Sequence, residues 1–156
     1  MAVNVFLDTS VLLAGLLDFG PQSAPAQRVM HAVAERHITS VGTAWHCCLE
    51  VFSVATRLPP EFRLSPRDAA MLLREEVFGR MTVHDLPADT RIPLLQLLAE
   101  EGIAGGRIYD AHIAEVARLA GATTIVTDNR RHFVTALRHG IRVETTPEFV
   151  AAIKRG

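Results

Sequence analysis

Five short β-branched or apolar runs set what this chain can fold into: VNVFL (3–7), ITSV (38–41), MTVH (81–84), TTIVT (123–127) and IRVET (141–145). Each is separated from the next by a segment of helical length, so consecutive strands are joined by crossovers rather than hairpins. The order reads strand, helix, strand, helices, strand, helices, strand, helix, strand, helix. Near-continuous apolar strands joined this way predict a parallel sheet covered on both faces, hence an α/β fold, a three-layer α/β/α sandwich.

Local signals punctuate the helical segments. In Ser65-Pro66-Arg67-Asp68, Ser65 can cap, Pro66 suits the first helical position and Asp68 faces the positive end of the helix dipole. Thr146-Pro147-Glu148 repeats that grammar, and Gly121 and Gly140 stand where helices 108–120 and 130–139 should stop. Two crossovers are long enough for paired helices, 43–57 with 66–78 and 88–101 with 107–120. The Leu58-Pro59-Pro60 break and the Gly102–Gly106 loop are interior connections. With 156 residues, 49% hydrophobic and 21% charged, the expectation is one domain over 1–156 around a sizeable core.

Charge and cysteine usage narrow the function classes. Sixteen Lys and Arg against 17 Asp and Glu leave a net charge of −1, so there is no global positive field for a polyanion and a nucleic-acid partner needs a local patch. All the basic residues but Lys154 are arginine, which pairs bidentately with phosphate and equally with carboxylate. Cys47 and Cys48, adjacent in sequence, are poorly placed for a disulfide. Asp8 and Asp18 bracket the apolar run Val11–Leu17, unlike a signal peptide, and no run approaches the ~18 apolar residues of a membrane span. The expectation is a cytoplasmic protein with no membrane association.

Four acids stand out by position. Asp8 follows the first strand and Asp128 the fourth, and the carboxyl ends of parallel strands line the ligand crevice of such sheets. Asp110 opens a helix in RIYDAHIAEVARLAG, and Glu50 is embedded in the apolar helix AWHCCLEVFSVA, where a carboxylate needs a partner. Singly, each has a plain structural explanation: a helix cap for Asp8, a turn for Asp128, a first-turn charge for Asp110 and an ion pair with Arg57 for Glu50. Together, converging carboxylates repel, and the relief is a divalent cation or a raised pKa. Oxygen ligands without Cys or His spacing point to Mg²⁺ or Mn²⁺ rather than zinc, ions suited to phosphate chemistry through one metal or two.

These residues carry a resemblance. Over FLDTSVLLAGL (6–16), CLEVFSVATRL (48–58), GRIYDAHIAEVARLAGA (106–122) and IVTDNRRHF (125–133), the chain resembles the PIN-domain ribonucleases, and within them the VapC-type toxins of type II toxin–antitoxin pairs. The resemblance implies a five-stranded parallel sheet of order 3-2-1-4-5. It also implies a catalytic quartet of Asp8, Glu50, Asp110 and Asp128, with Asp8 and Asp110 the surest metal ligands and Glu50 and Asp128 completing the pocket. Thr9, Ser10, Thr127 and Asn129 would orient the carboxylates by hydrogen bonding. The implied activity is Mg²⁺- or Mn²⁺-dependent endoribonucleolytic cleavage by metal-activated water, leaving 5′-phosphate and 3′-hydroxyl ends. A cognate antitoxin that binds near the active site and a homodimer are implied partners.

Around this quartet, Arg130, Arg131 and His132 follow Asp128, with Arg107 on the opposite lip, as RNA-phosphate contacts or a solvated helix start. His112, two residues past Asp110, is turned about 200° away on a helix and expected in packing or at the surface. His31, His37, His46, His84 and His139 show no metal-ligand spacing, and Trp45 and Phe52, at i and i+7, are expected in the core. The helices within 61–101 could offer apolar surface to a second subunit. Three further functions compete. A haloacid-dehalogenase-type phosphohydrolase wants a second acid where this chain has Ser10; a housekeeping PIN nuclease of RNA maturation shares the pocket; a non-catalytic RNA-binding or scaffold PIN module would have a metal pocket that is only structural.

Overall fold

The computed structural model describes residues 4–155. Strands β1 (Val5–Leu7), β2 (Val41–Ala44), β3 (Thr82–His84), β4 (Thr124–Val126) and β5 (Arg142–Glu144) form one sheet in the order β3-β2-β1-β4-β5. All four pairings are parallel, with Val5 opposite Val41 and Thr124, and Ile125 opposite Val143. Fold class and strand order are therefore as expected. Val3, the first residue of the expected β1 run, lies outside the described residues.

Helix α1 (Thr9–Leu16) and helix α2 (Ala24–Ala34) together fill the first crossover, where the sequence reading had a single helix. Gly20, at φ 112°, and a 3₁₀ turn at Pro21–Ser23 divide them, because Pro21 withholds an N–H and Gly20 takes a backbone conformation that side chains disfavour. Helix α3 (Trp45–Ala55) and α4 (Pro66–Leu73) follow β2, α4 running on into a π-helical turn at Arg74–Phe78. Helix α5 (Arg91–Glu100) and α6 (Arg107–Leu119) lie between β3 and β4. A 3₁₀ turn at Arg130–Phe133 precedes the short α7 (Val134–Arg138), so the helix expected over 130–139 is only half α-helical; α8 (Thr146–Arg155) follows β5.

The β2 run is displaced from the expected ITSV to VGTA. Ser40 sits in the left-handed region at φ 53°, ending any extended run before Val41, and all four strand residues are buried. Ser65 caps α4 as expected, accepting from the Asp68 N–H at 3.1 Å. At α8 the cap is Thr145, whose hydroxyl faces the Glu148 N–H at 3.5 Å, which releases Thr146 for another contact.

On one side α1 packs on α2 and α3, and α2 on α8; on the other α6 packs on α5 and α7. Phe6, Leu7, Val11, Leu12, Ile113, Ile125 and Phe133 are fully enclosed between sheet and helices. Burying each side chain of this size contributes about 1.5–3 kcal/mol. Trp45 departs from the expectation of a core residue: it is 43% exposed, because the core face of α3 is taken by Cys47, Cys48 and Val51. Among the described residues, no helix is long and apolar enough to cross a membrane.

Candidate functional site

Adjacency of β1 and β4 brings Asp8 and Thr127 together at the carboxyl rim of the sheet. The Asp8 N–H donates to the Val126 carbonyl at 3.1 Å, and its own carbonyl accepts the N–H groups of Val11 and Leu12, so the residue is fixed between a strand end and a helix start. Its side chain is buried, and two hydroxyls converge on Oδ2: Thr127 Oγ1 at 2.7 Å and Ser10 Oγ at 3.2 Å. The Asn129 N–H donates to Thr127 Oγ1 at 3.0 Å and the Asp128 N–H to Ser10 Oγ at 3.2 Å, orienting those hydroxyls in turn. Burial pushes the Asp8 carboxyl above its ordinary value, and the Thr127 and Ser10 hydrogen bonds pull against that.

Glu50 on α3 and Asp110 in the first turn of α6 face the same crevice electrostatically. Glu50 is raised by burial and by the charges of Asp8 and Asp110, with the His46 imidazole acting the other way. Asp110 is raised by burial and by Asp8, against His132 and His46. The partner of Glu50 is therefore His46, whose Nε2 stands 2.7 Å from Oε1, rather than Arg57. His132 Nδ1 lies 3.3 Å from Asp110 Oδ2.

Asp128 stands at the same rim but is engaged elsewhere. Its Oδ1 accepts from the Thr146 N–H at 3.0 Å and from Thr146 Oγ1 at 2.9 Å, at the start of α8. Asp8, Glu50 and Asp110 thus sense one another's charge, while Asp128 is tied to the last helix.

Of the residues expected to orient the carboxylates, Ser10 and Thr127 hydrogen-bond to Asp8 Oδ2. Asn129 contributes only its backbone N–H, and the buried Thr9 Oγ1 has no hydrogen-bond partner. Arg107, Asp110, Arg131 and His132 line a cleft of about 370 Å³, whereas Arg130 is paired with Glu148. His112 is nearer the site than its angular offset implied, its ring edge-on to His46 at 5.5 Å. Three residues with no expected role at the site contact it: His46, which its i, i+4 spacing to Glu50 could have revealed; Tyr109, stacked on His46; and Thr146, which no local signal links to Asp128.

Among the described residues no three His, Cys, Asp or Glu side chains are arranged to hold a metal ion as they stand. The donor chemistry nevertheless fits a hard divalent cation: three oxygen donors whose charges oppose one another are relieved by positive charge between them.

The PIN domain family profile matches residues 4–131. Ribonuclease VapC40 of Mycobacterium tuberculosis is 32% identical over 123 residues, covering 79% of this chain and 85% of the relative. Two solved structures share the fold. PAE2754 from Pyrobaculum aerophilum superposes with a TM-score of 0.64 at 18% identity, over 100% of this chain and 98% of its own. VapC20 of Mycobacterium tuberculosis, described as a sarcin-ricin loop cleaving toxin, has a TM-score of 0.60 at 19% identity, over 78% of this chain and 87% of its own.

Proposed function

The chain belongs to the PIN-domain family, and on that premise we propose that it is a metal-dependent endoribonuclease acting as the toxin of a toxin–antitoxin pair. Three carboxylates carry the reading, Asp8 between β1 and α1, Glu50 on α3 and Asp110 on α6, each raised by burial, with Asp8 opposing both of the others. Such an arrangement is unfavourable for the protein alone and favourable once a cation is bound.

In this reading Asp8 and Asp110 hold Mg²⁺ or Mn²⁺, and Glu50 and Asp128 complete the pocket. Held there, such a cation would supply Lewis-acid chemistry, lowering the pKa of an attacking water and offsetting charge on the leaving oxygen. Thr127 and Ser10 hold Asp8 Oδ2 in one orientation, and Thr146 does the same for Asp128. His46 restrains Glu50. Arg107 and Arg131 stand beside Asp110 to take RNA phosphate. The 3′ oxygen leaves, giving 5′-phosphate ends. A cognate antitoxin, a homodimer, a cytoplasmic site of action and one domain spanning 1–156 complete the proposal; exposed Met71, Phe78, Ile92 and Leu95 offer the dimer apolar surface.

The test is cleavage of total cellular RNA with Mg²⁺, Mn²⁺ or EDTA, beside Asp8→Ala, with fragment ends sequenced. Metal-dependent cuts that vanish in the variant are expected. Equal cleavage by Asp8→Ala would sink the assignment.

A further inference from the structure

Resting on the ribonuclease reading, we infer that Tyr109, buttressed by His46, is a stacking shelf for one unpaired RNA base beside the scissile phosphate. The Tyr109 ring lies parallel to the His46 imidazole, 5° between planes and 5.1 Å between centroids. His46 is itself fixed, by Glu50 at 2.7 Å and by the edge of His112 at 5.5 Å. The phenol therefore rests on a rigid support that reaches into the acidic crevice, yet Tyr109 is 52% exposed.

Single exposed aromatics are ordinary on protein surfaces. Tyr109 differs in where it stands. It precedes Asp110 directly, and neither it nor His46 lines the cleft formed by Arg107, Asp110, Arg131 and His132. Asp110 thus lines the arginine-bearing cleft, while its chain neighbour Tyr109 rests on His46 outside that lining. A single RNA strand has the matching polarity, with phosphates along one side of the backbone and bases free to splay to the other. With the scissile phosphate over the acids, a neighbouring phosphate meets the arginines and an adjacent base meets the phenol. Stacking needs only a π-face, so the shelf accepts any base but requires it unpaired, which selects loops and single strands over duplex.

The experiment uses an oligonucleotide spanning a cut site mapped from total RNA. Tyr109→Leu keeps apolar bulk without the π-face and is expected to raise KM about tenfold with kcat within threefold, while Tyr109→Phe behaves as wild type. An abasic nucleotide at the flanking position should raise KM equally for wild type and cost Tyr109→Leu nothing further. Independently of any variant, 2-aminopurine at that position should lose fluorescence when wild type binds. Unchanged KM in Tyr109→Leu, additive abasic and Leu effects, or no quenching at any nucleotide flanking the cut would each overturn the shelf while leaving the nuclease intact. Absence of any cleavage by wild type would overturn the ribonuclease reading and the shelf with it.

Discussion

Thr127 Oγ1 donates to Asp8 Oδ2 over 2.7 Å, joining residues 119 positions apart at the ends of the two central strands. Both side chains are buried, so the hydroxyl orients the carboxylate where water cannot substitute. Thr127→Val keeps the shape and removes the donor. Cleavage is expected to fall about tenfold and stability by about 1 kcal/mol, with Thr127→Ser close to wild type. Initial rates and urea unfolding check this; full activity in Thr127→Val would mean that the hydroxyl does not position Asp8.

Stability should fall with rising pH through the crevice acids. Asp8, Glu50 and Asp110 are all raised from their ordinary values of 3.8, 4.5 and 3.8. A carboxyl raised on folding keeps its proton where the unfolded chain has released it. Its contribution is full below about pH 4 and is lost as pH rises through the folded pKa. Asp8→Asn removes the most buried member and relieves both others, so its melting temperature in EDTA should decline less from pH 4.5 to 7.5 than that of wild type. Parallel slopes would contradict the mutual repulsion.

Cation binding should reverse that loss. A ligand that binds only the folded state stabilises by RT ln(1 + [L]/Kd), so saturating Mg²⁺ or Mn²⁺ at pH 7.5 is expected to raise the wild-type melting temperature by several degrees. Asp8→Asn and Asp110→Asn should respond much less. A wild-type protein indifferent to both ions in a thermal melt would remove the cation from the mechanism.

Gly15 is predicted to be intolerant of any side chain although it lies within a helix. A Cβ there would collide with Met30 Cγ and sit 2.9 Å from the Ala26 carbonyl oxygen, so the close approach of α1 to α2 depends on its absence. Gly15→Ala should destabilise by about 1–3 kcal/mol, outweighing the gain of up to about 1 kcal/mol from better helix propensity. An unchanged urea midpoint would show that α1 and α2 can separate at no cost.

The alternation of apolar runs and helical segments was enough to predict a parallel α/β sheet, and the carboxylates after β1 and β4 were legible as rim residues, because both signals are local. Helix ends were legible for the same reason: Ser65 caps α4, and Gly121 and Gly140 take positive φ of 82° and 76° where their helices stop. The His46–Glu50 pair was also within reach of i, i+4 spacing. The start of β2 was not, since β-propensity favours Ile38-Thr39 while the left-handed Ser40 ends the extended run before Val41, and pairing with β1 and β3 runs over VGTA.

By itself, then, the sequence determined the class of fold and which acids could meet, through periodicities and turn residues that act over a few positions. Only the tertiary structure decided which carboxylates oppose one another and which is held apart. Asp128 turns to Thr146, 18 residues on, and Tyr109 of α6 comes to rest on His46 of α3. Those partners are selected by strand order and helix packing, which bring distant segments together without leaving a periodic trace in either one.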